Sequence, residues 1–203
     1  MTASLTAVAA ISYFLGGLPF GYWFVRLALG KDIRTMGSGN IGATNVHRSA
    51  GTKAGIVVLL LDIAKGLLAV WIGSLLTGGL PLGLAVAVVA VMLGHCYPVL
   101  LKFKGGKAVA CFVGAFLYIA PLPLLAVIPV FVITVWWSRH ISLGSIIGAI
   151  FFPFFVWLIQ NPPLPILMAS VIAAVLIVYR HKSNIARLHQ GTESVFSFKG
   201  SNR

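Results

Sequence analysis

Apolar residues run in long blocks along the chain, and polar residues are gathered into the short stretches between them. The blocks cover about 4–27, 54–77, 80–101, 108–120, 122–138, 143–160 and 164–180. A helix that crosses a bilayer needs about 20 mostly apolar residues, with roughly 17–25 as the usual range. The pattern therefore predicts an all-α, polytopic integral membrane protein with seven transmembrane helices in a single domain, residues 1–203. The fourth block is short, so 108–138 read as one helix is the alternative. Pro121, Pro123 and Pro129 oppose it, because a helix interior tolerates proline poorly. A turn at Ala120-Pro121-Leu122-Pro123 is expected instead. The first block is too long for a secretory signal, lacks a basic leader and ends in basic residues, as an anchor does.

Composition agrees with this pattern. Of 203 residues, 59% are hydrophobic and 9% charged, against roughly 45–50% and about 25% in average soluble domains. A soluble fold of this size could not cover its surface with so few charges.

The charges are also lopsided, with 15 Lys and Arg against 3 Asp and Glu, and their placement sets the expected orientation. With seven spans, an external N-terminus and a cytoplasmic C-terminus, Arg26, Lys31, Arg34, Arg48, Lys53, Lys102, Lys104, Lys107, Arg139, Arg180, Lys182, Arg187, Lys199 and Arg203 all fall on or near the cytoplasmic side. The opposite loops at 77–80, 120–123 and 160–165 carry no charge, as the positive-inside rule requires. Six spans would turn Arg139 and the basic tail outward. The remaining base, Lys65, lies inside the second block, with Asp62 three residues earlier on the same helix face. A structural ion pair within a helix bundle is the favoured reading of these two.

Other chemistries are excluded. The bases punctuate apolar runs and form no solvated stripe, so no nucleic-acid partner is expected. Cys96 and Cys111 lack C-x-x-C spacing, and three carboxylates are too few for a dedicated magnesium or calcium cage. Neither a metal nor a cofactor is expected.

The functional content lies in the polar inserts, all on the predicted cytoplasmic side. The first runs Gly37-Ser38-Gly39-Asn40-Ile41-Gly42-Ala43-Thr44-Asn45-Val46-His47-Arg48. It matches the G-x-G-x-x-G dinucleotide pattern, but a membrane helix precedes it where that motif requires a strand. Its physics survives the failed match. Closely spaced glycines let backbone N–H groups converge on an anion, Ser38, Asn40, Thr44 and Asn45 add neutral donors, and Arg48 adds a bidentate fork. A flexible loop that merely reverses the chain is the plain alternative.

The second insert, Phe103-Lys104-Gly105-Gly106-Lys107, opens into the short fourth block. Bare N–H groups, a helix dipole and a point charge would coincide there, unless it is only a basic turn at the membrane surface. The third is 181–193. If helical, it places His181, Asn184 and Leu188 on one face; the alternative is a basic amphipathic tail lying on anionic lipid. The turn 138–145 could add Ser142 and Ser145; a helix cap built from Ser142 is the plain alternative. Together these inserts describe an anion site rich in phosphate donors, able to hold two phosphorylated groups.

These motifs resemble those of the bacterial acyl-phosphate:glycerol-3-phosphate acyltransferases, small polytopic enzymes that begin phospholipid synthesis. The resemblance spans nearly the whole chain: 37–48, Asp62-x-x-Lys65-Gly66, Gly94-His95-x-x-Pro98, 103–107, and His181-x-x-Asn184-Ile185-x-Arg187-Leu188-x-x-Gly191-x-Glu193. One departure is Ala108-Val109-Ala110-Cys111, where the family usually has Gly-Val-Ala-Thr. A thioester at Cys111 has no activating motif and is not expected.

The resemblance implies transfer of a fatty acyl group from acyl phosphate to the 1-hydroxyl of glycerol 3-phosphate, giving lysophosphatidate and phosphate. It implies a site on the cytoplasmic side of the inner membrane, contact with membrane lipid, and an enzyme that makes the acyl phosphate as a further partner. On this reading the catalytic residues are Ser38, Asn40, Arg48, Lys107 and His181. Ser38, Gly39, Asn40, Gly42, Thr44 and Asn45 hold the acyl phosphate. Arg48, Lys107, His181 and Asn184, with Ser142 or Ser145, hold glycerol 3-phosphate. Gly37, Lys104, Gly105 and Gly106 complete the binding set, and Glu193 orders the tail by pairing with a nearby base. No H-x-x-x-x-D motif is present, and no side chain is expected to be the obligatory general base. His181, surrounded by cations, is expected to act as a hydrogen-bond donor. A transporter of phosphorylated anions is the rival, but no internal repeat is evident.

Overall fold

The computed structural model describes residues 1–196, so the sequence-based placement of Lys199 and Arg203 lies outside the described residues. Every regular element among the described residues is helical. They are α1 (Thr2–Gly16), α2 (Phe20–Leu29), α3 (Ala43–Ala50), α4 (Thr52–Thr77), α5 (Pro81–Cys96), α6 (Val109–Ile119), α7 (Pro121–Ser138), α8 (Ile141–Gln160), α9 (Leu164–Arg180) and α10 (Lys182–His189). Short 3-10 turns at Ile33–Thr35 and Val99–Leu101 punctuate the connections.

The apolar blocks became helices at nearly their expected bounds, with one difference. The first span is broken at 17–19 into α1 and α2. Pro19 lacks the N–H that would continue α1 and restricts the residue before it. The fourth block, already short in the sequence, forms the 11 residues of α6. At 1.5 Å per residue that is about 16 Å, roughly half of a ~30 Å hydrocarbon core.

Five stretches are long and apolar enough to cross a bilayer: Thr2–Leu29, Thr52–Thr77, Pro81–Leu101, Pro121–Ser138 and Ile141–Gln160. A sixth qualifies if Leu164–Arg180 and Lys182–His189, bent by 53°, count as one. Length and composition thus support five or six spans where seven were expected, and α6 is the main reason.

A break between α6 and α7 is present, but it is confined to Ala120 where a turn over 120–123 was expected: Pro121 opens α7, and Leu122 and Pro123 lie in its first turn, where proline is tolerated. Pro129 and Pro153 nevertheless lie inside α7 and α8. Membrane helices accept such prolines because neighbouring helices and local adjustments satisfy the freed carbonyls.

Small residues set the packing. Helix α6 lies so close to α4 that a Cβ on Gly66 would stand 2.2 Å from the Cys111 carbonyl oxygen, and one on Gly114 would stand 1.9 Å from that of Ile63. This is how apolar helices associate where lipid removes the hydrophobic drive between them. Phe112, Phe116 and Phe152 stack at the centre, with ring centroids 4.6–5.0 Å apart. A second, smaller cluster of Val25, Ile33, Ile41, Val46, Val58 and Leu101 supports the loop between α2 and α3.

Candidate active site

Asn45 organises the first insert from within. It is 2% exposed. Its side-chain oxygen accepts from the Ser38 N–H at 3.0 Å, and its amide donates to the carbonyls of Asn40 (2.8 Å), Met36 (3.0 Å) and Ile33 (3.3 Å). The expectation that Asn45 donates to a ligand therefore gives way. Its hydrogen-bonding capacity is spent on wrapping the loop around itself, so it acts as a template. Gly37 must be glycine for the same reason: its φ is +53°, and a Cβ would lie 2.3 Å from the Asn45 oxygen. Asn40 accepts from the Gly42 N–H at 2.9 Å, which withdraws that N–H from any anion. Ser38, Gly39 and Asn40 still line an open cavity. Thr44 and Arg48 lie on α3, both partly buried.

The second insert is held from two sides. The Gly105 and Gly106 N–H groups donate to the carbonyls of Cys96 (3.2 Å) and His95 (3.0 Å). They are not the bare donors expected, because the strap lies against the end of α5 and pairs with it. Arg180 then donates through Nε to the Gly106 carbonyl and through Nη2 to that of Gly105, both at 3.0 Å. Its guanidinium also sits 4.9 Å from the centre of the Tyr97 ring. The result is a rigid strap that ends in Lys107.

Glu193 is the hub of the third insert. It is 8% exposed and accepts from Ser142 Oγ (2.7 Å), Asn184 Nδ2 (2.6 Å) and Arg187 Nε (2.7 Å). Burial alone would raise its carboxyl, but these three bonds outweigh it and hold the group below the usual range. The pairing expected of Glu193 is with Arg187. Asn184, oriented by Glu193, in turn accepts from the Lys107 ammonium through its side-chain oxygen. Beyond the hub, the tail returns to the α7–α8 turn, where the Phe196 N–H donates to the Arg139 carbonyl at 2.8 Å. Among its described residues the segment is docked on the protein, which is not the pose of a tail lying free on lipid. Ser145 does not join the hub: its hydroxyl donates to the Ile141 carbonyl one turn back, at 2.9 Å.

Cations crowd this hub. Burial, followed by Arg187, Arg48 and Arg180 against the opposing pull of Glu193, brings Lys107 down to about 8. Burial likewise lowers Arg48, whose guanidinium stays charged. His181 is 3% exposed and is brought down to about 4, by burial first and Lys107 next. It is a neutral imidazole at physiological pH. Its Nδ1 lies 2.7 Å from the Ile177 carbonyl oxygen, which can only accept, so Nδ1 carries the proton. Nε2 is then an acceptor, and the donor role expected for His181 is reversed.

Two cavities open at this place. One, of about 400 Å³, is lined by Ser38 and Asn40 together with Lys107, Arg180 and Arg187. The second, of about 630 Å³, adds Arg34 and Lys104. They share Gly39, Gly105 and Arg180. Arg180 is the residue that sequence reasoning missed. It counted there only as a topological charge, and its fork onto two glycine carbonyls has no signature in spacing.

The family model for glycerol-3-phosphate acyltransferase matches residues 6–191. The glycerol-3-phosphate acyltransferase of Geotalea daltonii is 47% identical over 197 residues, covering 97% of this chain and 99% of that one. The protein of the same name from Geobacter sulfurreducens is 46% identical over 189 residues, covering 93% and 96%. A crystal structure of PlsY (YgiH), an integral membrane glycerol 3-phosphate acyltransferase, in its glycerol 3-phosphate form aligns with a TM-score of 0.90 at 36% identity, covering 96% of each chain. The lysophosphatidic acid form aligns with a TM-score of 0.87 at 34% identity, covering 97% of each.

Proposed function

The chain belongs to the glycerol-3-phosphate acyltransferase family, and from that premise we propose the donor and the route by which it works. It is a multi-pass membrane enzyme that acylates glycerol 3-phosphate. The donor is an acyl phosphate, supplied by an upstream enzyme that forms it, and the products are lysophosphatidate and inorganic phosphate. One observation carries this reading: two cation-lined cavities adjoin and share Arg180, Gly39 and Gly105. Together they give room and positive charge for two phosphate groups, and a greasy acyl chain can leave between the helices.

The residues divide by what their geometry permits. Ser38, Gly39 and Asn40 hold the acyl phosphate in the smaller cavity, on a loop kept in shape by Gly37, Gly42 and Asn45. Lys107, Arg48 and Asn184 hold glycerol 3-phosphate, with Ser142 and Glu193 fixing Asn184. Thr44 adds a hydroxyl near the loop, and Lys104 adds charge in the larger cavity. The glycerol hydroxyl oxygen attacks the acyl carbonyl carbon, and the carbonyl-to-phosphate C–O bond breaks. The hydroxyl proton leaves on the departing phosphate.

His181 is too weakly basic to take that proton efficiently. Its Nε2 instead accepts a hydrogen bond from the neighbouring 2-hydroxyl and so orients the molecule, leaving the proton of the attacking 1-hydroxyl to the phosphate. The chain is one domain of seven membrane segments, α6 and its strap forming the shortest. The N-terminus is outside, and the site faces the cytoplasm at the inner membrane. Charge supports this orientation, because every described polar insert with bases lies at one end of the bundle.

Purified protein given labelled glycerol 3-phosphate should form lysophosphatidate from acyl phosphate and little or none from acyl-CoA. Robust activity with acyl-CoA alone would overturn the assignment of the donor.

A further inference from the structure

Three ionisable side chains lie inside the bundle, outside the lining of both cavities, and acyl transfer as described makes no direct use of them. Asp62 and Lys65 stand one turn apart on α4, and His95 lies near the end of α5. They are 2%, 3% and 4% exposed. Charges held within membrane segments are costly and commonly mark a functional role.

Their contacts run in one direction. The Lys65 ammonium lies 2.8 Å from Asp62 Oδ1 and donates at 2.8 Å to the carbonyl of Leu18, in the break between α1 and α2. It also sits 5.4 Å from the centre of the Phe20 ring, just past that break. The same Asp62 Oδ1 lies 3.7 Å from His95 Nδ1, a contact too long for a hydrogen bond. The His95 ring in turn supports the strap: a Cβ on Gly106 would stand 2.1 Å from His95 Nε2. The His95 carbonyl accepts the Gly106 N–H. A continuous line of contact thus joins the broken first span to the residue before Lys107.

Asp62, His95 and Cys111 also bring three ligand atoms within 4.8 Å of one another. However, the Lys65 ammonium already faces the carboxylate, and a second cation beside it would be repelled.

We propose that Lys65, Asp62 and His95 are positioning residues for acyl transfer, locking the glycine strap, and with it the Lys107 ammonium, to the break in the first span. The proposal rests on Lys107 being a ligand of glycerol 3-phosphate.

A merely structural pair and a positioning pair respond differently to neutralisation. Removing one partner of a buried ion pair strands a charge, whereas replacing both is often neutral for stability. The double variant Asp62→Asn/Lys65→Met should therefore stay folded in detergent. Its KM for glycerol 3-phosphate should nonetheless rise about tenfold, with kcat and the KM for acyl donor within about threefold, because it loses alignment and not chemistry. His95→Ala, which keeps the ion pair and removes the support beneath Gly106, should give the same split, and His95→Gln should recover part of it. Wild-type KM for glycerol 3-phosphate in folded His95→Ala would overturn the proposal even if the double variant did not fold. Lys107→Met separates the two levels. If it raises that KM while the buried variants do not, the positioning role fails alone; if it leaves KM unchanged, the strap lysine's role fails, and this proposal falls with it.

Discussion

Lys107→Met is expected to lower kcat/KM for glycerol 3-phosphate by about a thousandfold, mostly through KM. Truncating one partner of a buried, hydrogen-bonded charge pair costs about 2–5 kcal/mol, and each ~1.4 kcal/mol is tenfold. Lys107 sits in the upper part of that range for two reasons. Its ammonium lies on the cavity wall, and it is fixed by Asn184, which Glu193 fixes in turn. Its titration provides a second signature. Lys107 is brought down to about 8, so it is charged below that pH and neutral above it. Affinity for the phosphate should therefore fall as pH rises through about 8 in the wild type, and that alkaline limb should vanish in Lys107→Met. Steady-state kinetics across pH 6–9.5, roughly the range that spans this value, checks both. Retention of the limb in the variant would remove Lys107 from the site.

Asn45→Ala should damage the other half of the site without touching a substrate. It deletes four hydrogen bonds that fold residues 33–45 into one loop. At about 1 kcal/mol net for each, with a further penalty for buried groups left unpaired, the loss of stability should be about 3–5 kcal/mol. In protein that remains folded, the KM for the acyl donor should rise about a hundredfold, well beyond any change for glycerol 3-phosphate. Thermal unfolding in detergent and donor kinetics measure the two effects. A stable variant with normal donor KM would show that the loop needs no template.

Both predictions depend on features that differ in how visible they were in the sequence. The helices were legible because nothing but a membrane segment makes apolar blocks of that length, and the co-location of the inserts followed from charge asymmetry. The break at Pro19 was hidden because the apolar run continues straight through it. The shortness of α6 was legible, because the fourth apolar block covers only 108–120 and the helix forms at 109–119, after a strap that pairs with α5.

Within the site, residue types were readable and directions were not. A glycine loop rich in Asn and Ser looks like a set of donors, yet Asn45 points all of its capacity inward, and Gly105 and Gly106 donate to α5. Ser145 looks like Ser142 in sequence, but one hydroxyl returns to its own helix and the other reaches Glu193. Nor can composition say which imidazole nitrogen carries the proton. That depended on the Ile177 carbonyl one turn before His181.

The central claim is that side chains hold and aim the two substrates while the departing phosphate takes the proton. His181→Gln tests it most directly, because glutamine offers a hydrogen-bond acceptor but cannot serve as a base. With saturating acyl phosphate and glycerol 3-phosphate, the variant should keep kcat within about tenfold of wild type while KM for glycerol 3-phosphate rises. A kcat lower by several thousandfold with unchanged KM, in protein shown to be folded, would contradict the account and make His181 the general base.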